Sequence, residues 1–134
     1  MTSLSRILYV EDEPDIRAVA LIALQTIGGF EILPCASGAE ALERVSAFAP
    51  QLVLLDVMMP GMDGPTLLAA LRRIPETANI PAVFMTAKVQ PVEVAELRSM
   101  GAAEVIAKPF DPMTLAEQIR TIRGLGYMLA RTDA

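Results

Sequence analysis

The chain has 134 residues, a formal net charge of −5 and a mean hydropathy of +0.44. This length favours a single domain with its own hydrophobic core, and the hydropathy excludes a disordered chain. The apolar runs are too short to span a membrane, and the acidic balance without a Lys/Arg cluster argues against a nucleic-acid-binding face. We therefore expect neither nucleic acid nor a membrane among the partners.

Histidine is absent and cysteine occurs once, as Cys35. The lack of histidine excludes histidine-dependent catalysis, histidine-ligated zinc and a phosphohistidine within this chain. A single cysteine permits no intrachain disulfide and, with no secretory signal at the N-terminus, leads us to expect a cytoplasmic protein. Any chemistry must therefore use carboxylates, hydroxyls, lysine or an oxygen-bound metal.

Strand and helix patterns alternate five times along the chain, which predicts a doubly wound α/β fold with a parallel sheet and helices on both faces. Pro34 would interrupt a central strand, so the second strand is predicted at an edge. Residues 124–134 are expected to form a C-terminal tail without an output domain. The predicted strands are Arg6–Val10, Phe30–Pro34, Leu52–Asp56, Ala82–Thr86 and Glu104–Ala107. The predicted helices are Pro14–Ile27, Gly38–Phe48, Gly64–Ile74, Pro91–Met100 and Pro112–Arg123.

The first predicted helix has more apolar residues than one buried stripe needs. Helical spacing predicts that a stripe faces the sheet, leaving Ala18, Leu21 and Ile22 outside it. Two interpretations stay open for these three residues: scattered surface apolar side chains, which are common, or a docking patch for a partner helix. The predicted stripe comprises Ile16, Val19, Ala20, Ala23, Leu24 and Ile27.

Polar residues stand at or just after the ends of four predicted strands. Glu11 and Asp12 follow the first strand, and Asp56 ends the third. Thr86 ends the fourth strand, and Lys108 follows the fifth. In a parallel sheet these residues meet at the carboxyl edge, where open α/β folds place their ligands. Clustered carboxylates suit Mg²⁺, lysine and threonine can hold phosphoryl oxygens, and aspartate can accept a phosphoryl group covalently.

Four sequence blocks around these residues resemble the receiver domain of two-component response regulators, of the single-domain, chemotaxis-regulator-like type. The blocks are Glu11–Asp15, Leu55–Gly64, Met85–Lys88 and Ala107–Phe110. The resemblance covers residues 5–123 and assigns residues 1–123 to the receiver domain. It implies a five-stranded sheet with the flavodoxin-like strand order 2-1-3-4-5.

The resemblance also implies a phosphoacceptor and a metal site. Asp56 would take a phosphoryl group from the phosphohistidine of a sensor histidine kinase or a histidine phosphotransfer protein. Asp12 and Asp56 would ligate Mg²⁺ directly and Glu11 through water, with the backbone carbonyl of Met58 completing the protein ligands. Glu11 stands where the family more often has aspartate, a change that a water-mediated contact tolerates.

Further roles follow from the same resemblance. Thr86 and Lys108 would bind phosphoryl oxygens, and the peptide bond between Lys108 and Pro109 is expected to be cis. Phosphorylation would change the surface that binds a downstream protein, whose identity the sequence leaves open. The chain would assist only its own phosphorylation and dephosphorylation, so we do not expect an enzyme acting on a separate substrate.

Three positions bear on how long the phosphorylated state lasts and on how phosphorylation changes the output surface. Met58 and Lys88 lie two residues after Asp56 and Thr86, at positions that tune hydrolysis of the acyl phosphate in this family. Val105 stands where the family usually has the tyrosine or phenylalanine that turns inward on activation. Because valine has no ring to turn, we expect the output to use backbone shifts in the loops or another side chain.

Three alternatives to a simple switch remain at this point. A phosphorelay intermediate would pass the phosphoryl group on to another histidine protein. A Mg²⁺-dependent phosphatase with an aspartate nucleophile would usually need a second aspartate where Met58 stands. A degenerate receiver would ignore phosphate, against which the complete set of Asp12, Asp56, Thr86 and Lys108 argues.

Overall fold

The computed structural model describes residues 3–132 and contains a five-stranded, wholly parallel sheet. The strand order is β2-β1-β3-β4-β5, which confirms the predicted topology. Each strand is rich in large aliphatic residues because its two faces are both covered by helices. The strands are β1 (Arg6–Val10), β2 (Glu31–Cys35), β3 (Leu52–Asp56), β4 (Ala82–Thr86) and β5 (Glu104–Ala107).

Pro34 lies in β2 at the edge of the sheet, as predicted, and pairs with Tyr9 of β1. An edge strand tolerates proline because one of its sides needs no backbone N–H donor. The strand begins one residue later than predicted, because the N–H of Phe30 donates to the Leu24 carbonyl at the end of the preceding helix.

Within the described residues, six α-helices are distributed over the two faces of the sheet. They are α1 (Pro14–Leu21), α2 (Gly38–Phe48), α3 (Gly64–Leu71), α4 (Pro91–Ser99), α5 (Leu115–Arg120) and α6 (Leu125–Thr132). One buried cluster joins the sheet to α1, α5 and α6, and we call this side the α1–α5 face. A second cluster joins it to α2, α3 and α4 on what we call the α2–α4 face.

The first helix continues as a π-helix from Ile22 to Ile27, and this change corrects the predicted stripe. A π-helix has a wider turn than an α-helix, so the residues that follow it rotate out of the expected phase. Ile27, at the end of the π-helix, is accordingly 45% exposed instead of facing the sheet. Val19, which precedes the π-helix, is also exposed, at 43%, so its predicted place in the stripe is wrong as well. Leu21, predicted to lie outside the stripe, is half-buried against the α1–α5 core, and Ile22 is 56% exposed.

Several predicted helix boundaries are also wrong: α4 ends at Ser99 instead of Met100, α5 ends at Arg120 instead of Arg123, and two further boundaries shift for local reasons. Helix α3 ends at Leu71 instead of Ile74, because the Thr77 hydroxyl donates to the Leu71 carbonyl and the chain tightens into a 3-10 turn. Helix α5 begins at Leu115 instead of Pro112. There the Asp111 carboxylate accepts the N–H of Met113 at 2.9 Å and holds a separate turn before the helix.

Most of the segment expected to be a tail, residues 125–132, forms a helix instead, and residues 133–134 lie outside the described part of the chain. In α6, Leu125 and Leu129 are buried in the α1–α5 core. The sequence pattern there was too short to predict a helix, which forms because its apolar side packs on the domain. Among the described residues, no helix combines the length and apolar character needed to cross a membrane.

Candidate functional site

The sheet itself brings the polar strand ends together. Backbone pairing continues past the strands, from Glu11 N–H to the Cys35 carbonyl at 3.0 Å and from Lys108 N–H to the Thr86 carbonyl at 2.9 Å. The parallel register likewise places Asp56 beside Met85 of β4. Residues separated by up to 97 positions in sequence therefore share one cleft at the carboxyl edge.

A lysine ammonium lies between two buried carboxylates in this cleft. Lys108 Nζ contacts Glu11 Oε1 at 3.0 Å and Asp56 Oδ1 at 3.1 Å. Glu11 is fully buried and Asp56 is 3% exposed. Two buried carboxylates repel each other, so the shared cation stabilises their close approach.

Burial and neighbouring charges shift the pKa values of this cluster. Burial raises the pKa of Glu11 to about 7, Asp56 acts in the same direction, and Lys108 opposes both. Burial works to lower the pKa of Lys108, but its hydrogen bonds to Glu11 and Asp56 outweigh that effect and leave the pKa raised. Glu11 therefore exchanges its proton near neutral pH, whereas Lys108 keeps its charge.

Three acidic side chains could hold a cation. Carboxylate oxygens of Glu11, Asp12 and Asp56, one from each, all lie within 4.8 Å of one another. Asp12 Oδ1 is buried and has no hydrogen-bond partner among the residues that the structure describes. A buried oxygen in that position is costly unless a ligand serves it, and an all-oxygen donor set suits Mg²⁺. These residues therefore fit the predicted metal.

The side of the cleft toward α4 is more open. Thr86 is buried, and its hydroxyl accepts the N–H of Lys88 at 3.0 Å. The Met58 side chain is 65% exposed and lines a cavity of about 300 Å³ together with Thr86, Lys88 and residues of α4. The proposed contact between the Met58 carbonyl and a metal stays a prediction. Val105 is half-buried against the α2–α4 core.

The loops around the site have specific backbone requirements. Helix α3 begins so close to the end of β3 that a Cβ on Gly64 would lie 2.5 Å from the Asp56 carbonyl oxygen. The Asp63 carboxylate caps that helix by accepting the N–H of Thr66 at 2.8 Å. The peptide bond between Lys108 and Pro109 is cis, as expected.

Two features of the site were not predicted from the sequence. A groove of about 500 Å³ runs beside Lys108, between Val19 of α1 and Phe110 of the loop after β5. Arg17 Nη1 donates to the Glu11 carbonyl at 2.7 Å and ties α1 to the acidic cluster. The sequence gives no sign of the groove, because α1 and the loops after β4 and β5 that line it are far apart in the chain.

The fold and the cleft define the class of protein: a doubly wound α/β domain with an acidic cluster and a lysine at the carboxyl edge of its sheet. A family model for the response regulator receiver domain matches residues 7–120. The chain therefore belongs to the receiver domain family of two-component response regulators, whose domains act as phosphorylation-controlled switches.

Curated relatives support the same family. CseB of Streptomyces coelicolor, named a transcriptional regulatory protein, is 34% identical over 122 residues, covering 91% of this chain and 50% of the relative. MtrA of Mycolicibacterium smegmatis, named a DNA-binding response regulator, is 36% identical over 119 residues, covering 89% and 50%. This chain spans about half the length of these relatives.

Solved structures agree with the fold. The chemotaxis protein CheY4 of Vibrio cholerae superposes with a TM-score of 0.82 at 28% identity, covering 90% of this chain and 99% of that one. A putative response regulator of Chloroflexus aurantiacus gives a TM-score of 0.80 at 29% identity, covering 96% and 100%. Both similarities extend over nearly the whole of the compared chains.

The sequence led us to expect no nucleic-acid partner. This expectation is wrong for response regulators similar to this chain, because MtrA is named as DNA-binding. That expectation depended on the net charge of −5. The charge of a receiver domain describes the surface of that domain and does not report where its signal is directed.

Proposed function

We propose that the chain is a switch in which Asp56 accepts a phosphoryl group from the phosphohistidine of a sensor histidine kinase or a histidine phosphotransfer protein. The observation that carries this proposal is the buried Asp56 carboxylate 3.1 Å from Lys108, with Glu11 and Asp12 beside it. Because these 134 residues include no histidine, the phosphohistidine donor lies outside them. The cytoplasmic location expected from the single cysteine is part of this proposal.

The proposed reaction is a phosphoryl transfer from a histidine to an aspartate. A carboxylate oxygen of Asp56 attacks phosphorus, so a P–O bond forms while the P–N bond to the donor imidazole breaks. Mg²⁺ held by Glu11, Asp12, Asp56 and the Met58 carbonyl would neutralise charge on the phosphoryl oxygens. The chain turns over no separate substrate and assists only its own phosphorylation and dephosphorylation.

Two side chains would hold the transferred group. Lys108 already binds Asp56 and can turn to a phosphoryl oxygen once the new charge appears. The Thr86 hydroxyl accepts a hydrogen bond from the Lys88 N–H, which leaves its own hydrogen available to a phosphoryl oxygen. Movement of Thr86 toward the phosphoryl group would displace the loop after β4 and so reach α4 and β5, the proposed output surface.

The donor protein is proposed to dock on α1 beside the groove. Val19 lines the groove and is exposed together with Ala18 and Ile22. A docking test at Leu21 would be confounded, because Leu21 packs against the core. Ile22→Lys should instead lower phosphotransfer from a partner kinase while phosphorylation by acetyl phosphate is unchanged; equal loss of both would contradict docking there.

The central experiment is phosphorylation by a small donor. Wild type with Mg²⁺ and acetyl phosphate should gain the mass of one phosphoryl group, and Asp56→Asn should gain none. Asp15→Asn, which alters an exposed acid on α1, should behave as wild type and serves as the matched control. No gain in the wild type would favour the degenerate receiver, and turnover of small phosphoesters would favour the phosphatase.

Two finer points of function need separate tests. Transfer of the phosphoryl group from the labelled chain to a histidine phosphotransfer protein would establish the relay variant. Transcription is the output class that we propose from the names of CseB and MtrA. Phosphorylation should then change promoter activity in cells, and an Asp56→Asn strain that retains the full response would contradict this.

A further inference from the structure

Arg17 is a half-buried residue of α1 whose guanidinium binds the backbone of the acidic loop. Its Nη1 atom donates to the Glu11 carbonyl oxygen at 2.7 Å. A long cationic side chain on a helix commonly extends into water or pairs with an exposed acid. This one turns back across the loop before its own helix. The contact therefore acts on the backbone of that loop.

The Glu11 carbonyl needs a donor because it lies where the sheet ladder stops. The Glu11 N–H donates to the Cys35 carbonyl at 3.0 Å and so continues the pairing of β1 with β2. In a parallel ladder the N–H and C=O of one residue bond to the same neighbouring strand. However, β2 ends at Cys35, and Ser37 already caps α2. Glu11 is fully buried, so its carbonyl requires another partner, which Arg17 supplies.

The carbonyl that Arg17 binds belongs to the peptide group between two acids, Glu11 and Asp12. Carboxylate oxygens of these residues and Asp56 lie within 4.8 Å of one another. Because a peptide group is planar, a fixed Glu11 carbonyl also fixes the direction in which the chain enters Asp12. Asp12 Oδ1 is buried and has no hydrogen-bond partner among the described residues. The backbone therefore decides where that oxygen points.

Arg17 binds the backbone on both sides of Asp12. Its own N–H donates to the Glu13 carbonyl at 2.9 Å in the first turn of α1, while its side chain binds the Glu11 carbonyl. A guanidinium suits the second contact because it is rigid, planar and always charged. The loop that carries Asp12 is thus joined to α1 before and after this residue.

We propose that Arg17 is a positioning residue for the metal site: its guanidinium orients the peptide group between Glu11 and Asp12 and so holds the Asp12 carboxylate where it can bind Mg²⁺. Arg17 acts through Asp12 and binds neither the metal nor the phosphoryl group. The inference rests on the proposed function, because it requires Mg²⁺ at this cluster. It involves no change of covalent bonds.

A charge effect and a positioning effect of Arg17 have opposite signs. A nearby positive charge repels a divalent cation, so the loss of that charge alone would tighten Mg²⁺ binding. Loss of the positioning contact lets the loop relax, and Mg²⁺ binding then weakens. Partners that orient metal ligands typically contribute at least about tenfold to metal affinity. The direction of the change therefore separates the two effects.

Mg²⁺ affinity is measured by titrating the whole chain with MgCl₂ and following its backbone amide resonances by NMR, without a phosphodonor. Arg17→Met should bind Mg²⁺ about tenfold more weakly than the wild type. Arg44→Met removes the same charge from an exposed site on α2 and should bind Mg²⁺ as the wild type does. Arg17→Lys keeps the charge and a donor, so its affinity should lie between those of the wild type and Arg17→Met. Unchanged or tighter binding by Arg17→Met would overturn the proposal.

A second measurement separates positioning from a purely structural role. Arg17→Met should lower the urea unfolding midpoint, because the buried Glu11 carbonyl loses its donor. In phosphorylation by acetyl phosphate, the Mg²⁺ concentration that gives the half-maximal rate should rise about tenfold in this variant. The rate at saturating Mg²⁺ should match that of the wild type. A lower unfolding midpoint with an unchanged Mg²⁺ requirement would show a structural role alone and overturn the inference.

The outcomes distinguish this inference from the function beneath it. If the wild type is phosphorylated on Asp56 while Arg17→Met binds Mg²⁺ as tightly as the wild type, the Arg17 inference alone is wrong. If the wild type binds Mg²⁺ but accepts no phosphoryl group, while Arg17→Met binds Mg²⁺ weakly, the proposed function alone is wrong. If Asp12→Asn binds Mg²⁺ as tightly as the wild type, the metal site and the Arg17 inference are both wrong.

Arg17→Lys decides the question if Arg17→Met does not fold. Its matched control is then Arg44→Lys, which makes the same substitution at the exposed site on α2. Weaker Mg²⁺ binding by Arg17→Lys than by the wild type and this control would support the proposal. Equal binding by all three proteins would overturn it.

Discussion

On the α1–α5 face of the cleft, Glu11 and Asp56 are buried and are joined through the half-buried Lys108 by contacts of 3.0 and 3.1 Å. On the side toward α4, the Thr86 hydroxyl contacts a backbone N–H, and Met58 lies open to solvent. Helix α4 buries a single residue, Leu97, of the nine that compose it. One side of the site is thus fixed by charge pairs, whereas the other is covered by a weakly packed helix.

From this difference we infer that the two sides of the cleft have different roles in the domain. Local stability follows buried apolar contacts, so segments with few of them open and shift at low cost. In the switch proposed above, redistribution of charge at the fixed side would therefore bias the position of α4 without disturbing the sheet. The predictions below test the fixed side first, where free-energy effects are largest.

Lys108→Met should give the largest loss of stability. It leaves two buried carboxylates without their cation, and breaking a buried pair from one side costs about 3–5 kcal/mol. Urea unfolding at pH 8 without divalent cations measures the effect. Lys88→Met, on the open side of the cleft, should change stability by less than about 0.5 kcal/mol. Equal effects of the two variants would contradict the contrast between the two sides.

Stability should fall as pH rises toward neutrality. The pKa of Glu11 is about 7 in the folded protein against an ordinary value of 4.5, so the folded state binds a proton that the unfolded state has released. The contribution of this group is complete below pH 4.5 and is lost as pH passes 7. It amounts to at most about 3 kcal/mol.

Glu11→Gln is the matched variant for that dependence. It has no carboxyl proton to exchange, so the free energy of unfolding should depend less on pH between 5 and 8 than in the wild type. Unfolding of both proteins by urea at several pH values, without divalent cations, provides the measurement. Parallel pH profiles would show that Glu11 is not the responsible group.

Gly64→Ala should destabilise the junction between β3 and α3 by about 1–3 kcal/mol, because the added Cβ would overlap the Asp56 carbonyl and force backbone movement. Gly126→Ala in α6 is the control. Nothing lies within 4 Å of the added Cβ there, so the better helix propensity of alanine should stabilise α6 by up to about 1 kcal/mol. Thermal unfolding of both variants measures the difference, and a neutral Gly64→Ala would contradict the close contact.

The fold was predictable because its signals are local and repeated. Aliphatic runs such as Leu52–Leu55 specify buried parallel strands, and Pro34 specified an edge. The π-helical turn after Leu21 was not predicted. It ends next to Gly28, where an added Cβ would lie 2.8 Å from the Ala116 Cβ of α5, and this contact joins residues far apart in the chain. Helix α6 escaped prediction for a related reason, since its burial depends on the assembled domain.

The residues of the candidate site were predictable from their positions at strand ends, but their pairing and burial were not. The sequence places Glu11, Asp56 and Lys108 at one edge without indicating that one ammonium bridges both carboxylates. Tyr9 resembles any other strand residue in the sequence, and only the packed core shows that its hydroxyl has no hydrogen-bond partner among residues 3–132. Pairing and burial are tertiary properties, which periodicity does not encode.

Met58→Asn should have the smallest effect on stability and a clear effect on function. The side chain is 65% exposed, so the free energy of unfolding should change by less than about 0.5 kcal/mol. Methionine offers no strong hydrogen bond to orient an attacking water near Asp56, whereas asparagine can both donate and accept. We expect a shorter aspartyl-phosphate lifetime in Met58→Asn. The loss of phosphoryl mass over time, after the donor is removed, measures this lifetime. Met113→Asn, at an exposed position outside the cavity, should keep the wild-type lifetime; a matching change there would mean that general surface polarity is responsible.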